Sequence, residues 1–277
     1  MISVAFDYQK ANTVDEAIAA LSADDVKILA GGHSLLPAMK LRLSRPLKLV
    51  DISKIPSLKG IRENNGEIII GAATTHNDIS ENDIIKTHLP FFSEGAAMIG
   101  DTQVRNYGTI GGSLAHADPS ADWPALILAA DATIDVQGST GRRSMKATDF
   151  FTGLFSTQLL QDEIITAIRI PVPVSGTKSV YLKFRQPASR FAVVGCAVMH
   201  FPGDKTNIAF TGLSDNAFRD TAAEKAIAGK SLDDSTITAA VNAAVDGVEI
   251  NSDLFASAVY RKHLAKVYLK RALQAVA

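Results

Sequence analysis

The chain reads Ala30-Gly31-Gly32-His33-Ser34-Leu35 after an apolar stretch, and further on it reads Thr109-Ile110-Gly111-Gly112-Ser113-Leu114. Glycine permits positive φ angles and lets the backbone approach a ligand closely. Successive N–H groups in a turn, or at the start of a helix, form a binding site for an anion. Both segments also carry a hydroxyl side chain beside their amides. Two such segments in one chain predict a dinucleotide site, in which free amides contact the pyrophosphate.

Each glycine pair has an ordinary alternative, because glycine pairs after strands often serve only as turns. The first segment lacks both the Gly-x-Gly-x-x-Gly pattern of nicotinamide-binding folds and the phosphate loop of nucleotide triphosphatases. The second segment continues as Ala117-Asp118-Pro119-Ser120-Ala121-Asp122. Carboxylates repel phosphate, so we expect these acids to bind ribose or ribityl hydroxyls. Alternatively, Ser120 caps a helix over 121–130 and the acids lie near its positive end; the two roles are compatible.

The composition is that of a globular protein, with 47 % hydrophobic and 21 % charged residues. The 28 Lys and Arg residues nearly balance the 29 Asp and Glu residues, and the net charge of -1 disfavours a nucleic-acid partner. The sequence shows no run of about 18 apolar residues and no signal-peptide pattern at its start. We therefore expect a cytoplasmic protein without a membrane span.

Cys196 is the only cysteine, which excludes an internal disulfide. An iron–sulfur cluster needs about four thiolate ligands, so any such cluster would have to lie on a partner. Cys196 stands in the apolar run Val193-Val194-Gly195-Cys196-Ala197-Val198, where a buried, unreactive strand residue is expected. The six histidines show no ligand spacing, and no metal site is predicted.

Hydrophobic periodicity predicts an α+β chain. Residues 1–53 form an α/β unit, in which a helical crossover makes the strands parallel. From residue 54 the signals are antiparallel, beginning with a hairpin turn at Asn64-Asn65-Gly66. The expected helices are 13–21, 77–87, 90–99 and 121–130, and the expected strands are 26–30, 47–52, 132–136 and 163–170.

Prolines at 171 and 173 indicate a domain boundary near 174–177. We predict domains at 1–175, with subdomains 1–53 and 54–175, and at 176–277. In the second domain, strands come first and helices afterwards, an order typical of α+β units. The strands are expected at 179–185, 193–201 and 207–213, and the helices at 221–228, 235–245 and 256–275.

Together these motifs resemble the FAD-binding medium subunit of molybdenum hydroxylases, the carbon monoxide dehydrogenase, xanthine dehydrogenase and aldehyde oxidoreductase group. The resemblance covers nearly the whole chain and includes Gln103-Val104-Arg105-Asn106 and Tyr181-Leu182-Lys183. It implies a FAD-binding fold of the vanillyl-alcohol-oxidase (PCMH) type with two α/β subdomains. A smaller C-terminal domain of antiparallel sheet plus helices would follow.

By matching motif, the resemblance also implies which residues bind the cofactor. Asp122 would serve the ribityl chain and Lys183 would lie near the flavin ring, although Lys183 could also be a solvated lysine on an edge strand. His33 could contact the cofactor or only brace its loop. The implied cofactor-binding residues are Ala30, Gly31, Gly32, His33, Ser34, Leu35, Thr109, Ile110, Gly111, Gly112, Ser113, Asp118, Asp122 and Lys183.

The function implied is that of a FAD-carrying electron-transfer subunit. Electrons would come from 2Fe-2S clusters on a small subunit, after substrate hydroxylation at the molybdenum cofactor of a large subunit, and would pass to an external acceptor. Two alternatives stay open: a stand-alone flavin-dependent oxidase or dehydrogenase, and a non-catalytic interaction subunit that has lost FAD. We expect bulky substitution at Gly32 or Gly112 to lower flavin binding while the fold still forms.

Overall fold

The computed structural model describes residues 2–277, and it begins with a small α/β unit. Three strands form a parallel sheet in the order β1-β3-β2, and α2 is the crossover between β2 and β3. The expected parallel pair is therefore confirmed, whereas the polar strand β1 was missed. The elements are β1 (Asp7–Lys10), α1 (Val14–Ala20), β2 (Val26–Leu29), α2 (Leu35–Lys40) and β3 (Lys48–Asp51).

The second unit is built on a five-stranded antiparallel sheet in the order β4-β5-β10-β6-β7. The predicted hairpin is confirmed: Asn65 and Gly66 have φ angles of 51° and 76°, as a tight turn between β4 and β5 requires. A small hairpin, β8 and β9, precedes the central strand. The strands are β4 (Ile61–Asn64), β5 (Glu67–Gly71), β6 (Thr133–Gly138), β7 (Gly141–Lys146), β8 (Phe151–Gly153), β9 (Ser156–Thr157) and β10 (Ile164–Pro171).

Seven short helices accompany this sheet, and six of them contribute buried residues to a core shared with it that includes Trp123. The helix expected over 77–87 is broken, because Asn82 has an extended backbone and its side chain accepts the N–H of Ile85, which starts a new helix. The helices are α3 (His76–Glu81), α4 (Asp83–His88), α5 (Pro90–Ala97), α6 (Thr102–Tyr107), α7 (Ile110–His116), α8 (Asp122–Ala129) and α9 (Ala147–Phe150).

The third unit is an antiparallel sheet in the order β11-β12-β13-β14, followed by three helices. This confirms the predicted order of strands before helices, and with it the α+β class. Cys196 lies fully buried on the interior strand β12, as expected. The elements are β11 (Lys178–Arg185), β12 (Ala192–Phe201), β13 (Lys205–Thr211), β14 (Phe218–Arg219), α10 (Thr221–Ile227), α11 (Asp234–Ala243) and α12 (Ala258–Val276).

The loop between α7 and α8 is clamped against the third unit. The Thr211 hydroxyl lies 2.7 Å from the carbonyl oxygens of both Pro119 and Ala121, and the Gly212 N–H donates to Pro119 O at 2.7 Å. Ser120 does not cap α8, because the N-cap is Ala121 and makes no side-chain bond. The Ser120 carbonyl instead accepts the Ala192 N–H at 3.1 Å. The expected capping role is therefore wrong.

Two negative findings apply to residues 2–277. No helix in this part is long and apolar enough to cross a membrane. The same residues contain no group of three or more His, Cys, Asp or Glu side chains that could hold a metal ion.

Candidate cofactor site

The first glycine segment forms a turn of free amides between β2 and α2. Gly32 has a φ of 75°, a conformation that L side chains rarely adopt. Among residues 2–277, no atom accepts a hydrogen bond from the main-chain N–H groups of Gly31, Gly32, His33 or Ser34. The Ser34 side chain, at the N-cap of α2, makes no capping bond either. Successive amides without a protein acceptor fit an anion such as a phosphate.

The second glycine segment is the first turn of α7, and its amides are already bonded. Thr109 is the N-cap, and its hydroxyl accepts the Gly112 N–H at 3.1 Å. The Gly111 N–H donates to Ala72 O at 2.9 Å, and the Ser113 N–H donates to Thr109 O at 3.0 Å. The expectation of free amides in both segments is therefore wrong for this one. What the second segment contributes is close packing of its main chain, since β-carbons on Gly111 and Gly112 would meet Ala72 and the Thr109 hydroxyl.

The two glycine segments lie against each other. A β-carbon added to Gly31 would collide with the Tyr107 carbonyl oxygen and lie 2.7 Å from the α-carbon of Gly108. A β-carbon added to Gly112 would lie 2.9 Å from the Thr109 hydroxyl and 3.8 Å from the Ala30 methyl group. The structure thus brings the predicted sets 30–35 and 109–113 together. Glycine is what allows this close approach, because neighbouring protein atoms occupy the space that the β-carbons of Gly31 and Gly112 would need.

Asp122 and Lys183 meet in a buried ion pair. Lys183 Nζ lies 2.8 Å from Asp122 Oδ2, and the two side chains are 1 % and 5 % exposed. The Tyr181 hydroxyl donates a hydrogen bond to the other carboxylate oxygen of Asp122, and Lys183 also donates to Met98 O at 3.3 Å. Burial raises the pKa of Asp122, while Lys183 and Tyr181 oppose the rise. Lys183 does lie on an edge strand, β11, but its side chain is not solvated, so that alternative is wrong in this respect.

The other predicted residues have local roles. Asp118 Oδ1 accepts the Ser120 N–H at 2.8 Å and so shapes the loop before α8. The His33 ring is exposed and meets the Tyr107 ring edge-on, with 5.9 Å between the ring centroids. In the described part of the chain, no hydrogen bond links Asp122 or Lys183 to either glycine segment. The site therefore consists of a glycine junction and a separate buried pair.

Sequence reasoning missed two groups of partners. Tyr181 could have been found, because residues two apart on a strand face the same side and Tyr181 shares a strand with Lys183. Tyr107 and Gly108 gave no such signal, since only the tertiary fold brings them to Gly31.

Comparison with protein-family models gives two matches that together span nearly the whole chain. Residues 4–173 match the FAD binding domain in molybdopterin dehydrogenase, and residues 179–276 match the CO dehydrogenase flavoprotein C-terminal domain. This chain is a FAD-binding medium subunit of the molybdenum hydroxylase family. It is thus a flavoprotein subunit of an oxidoreductase, and FAD is the cofactor of its larger domain.

Individual relatives match the medium subunit over its full length. It is 40 % identical to the carbon monoxide dehydrogenase medium chain of Hydrogenophaga pseudoflava, over 99 % of this chain and 98 % of the relative. It is 36 % identical to the glyceraldehyde dehydrogenase medium chain of Sulfolobus acidocaldarius, over 98 % of both. A solved structure of carbon monoxide dehydrogenase from Hydrogenophaga pseudoflava aligns with a TM-score of 0.96 and 41 % identity, covering 100 % of this chain and 98 % of that one.

Proposed function

We propose that the medium subunit holds FAD at its glycine junction and carries electrons from a partner's iron–sulfur clusters to an external acceptor. The observation that carries the proposal is the row of N–H groups from Gly31 to Ser34, which lack a protein acceptor and adjoin the second glycine segment. Bound FAD supplies the redox chemistry, because a flavin exchanges electrons both with one-electron carriers and with two-electron acceptors.

The protein's own residues would bind and orient this cofactor. The amides of residues 31–34 would contact the diphosphate. Their N–H dipoles would stabilise its negative charge, and no charged side chain would have to be desolvated. The glycines of 109–113 would keep the start of α7 packed closely beside the first glycine segment. Asp122 and Lys183 would act as a pair, by holding the loop after α7 against β11.

Partners follow from the names of the relatives. Relatives called medium chains imply further chains, and we propose a large subunit with the molybdenum cofactor and a small subunit with 2Fe-2S clusters. The single, buried cysteine supports this division, since the described chain offers no set of thiolates for a cluster. The substrate would then be selected outside this chain.

A FAD titration of the purified chain, followed by visible absorbance and flavin fluorescence, tests the proposal. Gly32→Ala and Gly66→Ala form a matched pair, because both glycines have nearly the same φ, 75° and 76°. Each alanine should cost about 1–2 kcal/mol of backbone strain, and the Gly32 methyl group must also displace the end of the Leu36 side chain, which would lie 2.8 Å away. Only Gly32→Ala should also weaken FAD binding, since Gly66 lies in the remote β4–β5 turn.

The outcomes separate the alternatives. Protein that stays colourless with excess FAD would contradict the proposal and favour an interaction subunit without flavin. Equal FAD affinity of the two alanine variants would place the cofactor elsewhere. A yellow protein that purifies alone from its native host and oxidises a small substrate would favour a stand-alone oxidase.

A further inference from the structure

His76 is a buried histidine whose hydrogen bonding fixes its tautomer. It begins α3 and is only 5 % exposed. The indole Nε1–H of Trp123 donates to His76 Nδ1 at 3.0 Å. Because an indole N–H can only donate, Nδ1 must be the unprotonated acceptor. In the neutral ring the proton is therefore on Nε2.

The Nε2–H group of His76 has no partner in the described part of the chain. No residue in 2–277 accepts a hydrogen bond from it. In these residues, the fully buried side-chain N and O atoms without a hydrogen-bond partner are Thr177 Oγ1 and Arg261 Nε. His76 Nε2 is not one of them, so it retains some accessible surface. A donor oriented on one side by the protein and left open on the other is suited to an external acceptor.

The open side of His76 lies at the glycine junction. A β-carbon on Gly108 would lie 2.7 Å from His76 Nε2, and the α-carbon of Gly108 in turn approaches Gly31. The main chain is tied here as well, since the His76 N–H donates to Gly108 O at 2.9 Å. Burial, with smaller effects of His33 and Arg105, lowers the pKa of His76 to about 3. The ring is thus a neutral donor.

We propose that His76 Nε2–H donates to a diphosphate oxygen of the ligand held by the amides of residues 31–34, with Trp123 as the positioning residue; this rests on the proposed function. The His76 side chain, from α3, then adds one donor to the row of main-chain donors. Trp123 acts through His76, because its indole keeps the proton on Nε2.

Two amide variants separate binding from structure. In His76→Asn, the side-chain oxygen can still accept from Trp123 near the Nδ1 position, but no N–H reaches the Nε2 position. In His76→Gln, the longer amide can return an N–H to that position. We expect FAD affinity to fall about tenfold in His76→Asn, the size typical of one hydrogen bond to a charged acceptor, and to recover to within about threefold in His76→Gln.

Binding of FAD and of ADP, with thermal unfolding of the ligand-free proteins, completes the test. ADP carries the diphosphate without the flavin, so the loss in His76→Asn should appear for both ligands. Trp123→Phe should weaken both ligands less than His76→Asn does.

Three results would overturn the inference. The first is that His76→Asn binds FAD with the affinity of the wild-type chain. The second is that His76→Asn loses affinity for FAD but not for ADP. The third is an equal loss in both amide variants that follows their melting temperatures. If the wild-type chain binds FAD in any of these cases, the proposed function stands without His76. If the wild-type chain binds no FAD, both proposals fail.

Discussion

Lys183 on β11 and Asp122 at the start of α8 form an ion pair of 2.8 Å that is almost closed to solvent. Asp122 belongs to the segment that matches the FAD-binding domain, and Lys183 belongs to the segment that matches the C-terminal domain. The pair therefore ties the two parts of the medium subunit at the end of the loop that follows the second glycine segment.

Lys183→Met should lower the free energy of unfolding by about 3–5 kcal/mol, because it leaves a buried carboxylate without its counter-charge. Burial already raises the pKa of Asp122 and the lysine opposes this. In the variant, the folded protein would bind a proton more readily than the unfolded chain, so its stability should fall as pH rises. Urea unfolding at several pH values measures this.

Two controls accompany that variant. Lys205→Met removes an exposed pair with Asp131 and should cost only about 0.5 kcal/mol. The double variant Asp122→Asn/Lys183→Met should recover much of the loss, because no unpaired charge remains. A double variant as unstable as Lys183→Met would show that the buried charge is not the cause.

Ligand-free stability should depend on the protonation of His76. Its pKa is about 3 in the folded chain, against an ordinary value of 6.5. Between these values the unfolded chain binds a proton that the folded chain does not, so unfolding becomes easier as pH falls. The expected slope from this one group is about 1.4 kcal/mol per pH unit from pH 6.5 downward. In denaturant unfolding of His76→Asn, the free energy of unfolding should fall less steeply below pH 6.5 than in the wild-type chain. An unchanged slope would contradict this assignment.

The two glycines of α7 should respond differently to alanine. A methyl group on Gly111 would lie 2.6 Å from the Ala72 side chain and 2.7 Å from its carbonyl oxygen, and such overpacking costs about 1–3 kcal/mol. On Gly112 the main crowding is with the Thr109 hydroxyl, and the gain in helix propensity of about 1 kcal/mol offsets it. Gly112→Ala should therefore fold normally, and it should still lower FAD affinity because its methyl group would face Ala30 of the first glycine segment. Thermal melts with FAD titrations check both, and equal destabilisation would count against this packing.

Arg261 should be important for the C-terminal domain. It is buried and donates to the carbonyl oxygens of Val193 and Gly212 and to Asp253. Arg261→Leu leaves two buried acceptors unpaired and should cost about 2–4 kcal/mol. Lys262→Leu, next to it on the exposed side of α12, should change stability by no more than about 0.5 kcal/mol. Chemical unfolding compares the two, and similar losses would refute the role of Arg261.

Local sequence signals predicted the hairpin at Asn65-Gly66 and the parallel pair β2 and β3, because turn chemistry and crossover length act over short distances. The first turn of α7 was missed, because glycine disfavours helices and two in succession read as a turn. Tertiary packing overrides this preference: only glycine at 111 lets the helix approach Ala72.

The residues of the candidate site also divide into those that local sequence signals predict and those that depend on tertiary contacts. Gly31, Gly32 and Ser34 were recognisable because their free amides follow from the local turn. The bonded state of the Gly112 amide follows from Thr109 as the N-cap of α7, and it could be predicted only once a helix over 110–116 was recognised. The closeness of Gly31 to Tyr107 and the pairing of His76 with Trp123 join distant parts of the chain. Such contacts cannot be predicted from periodicity.

The buried Cys196 provides this chain with an intrinsic probe. It is the sole thiol, it lies on an interior strand of the C-terminal sheet, and burial raises its pKa, so a reagent in solution meets no thiolate while the sheet is closed. The rate of alkylation should therefore report how often the C-terminal sheet opens. Partner docking or cofactor loading that stabilises this sheet would slow the reaction, and no engineered label is needed to time it.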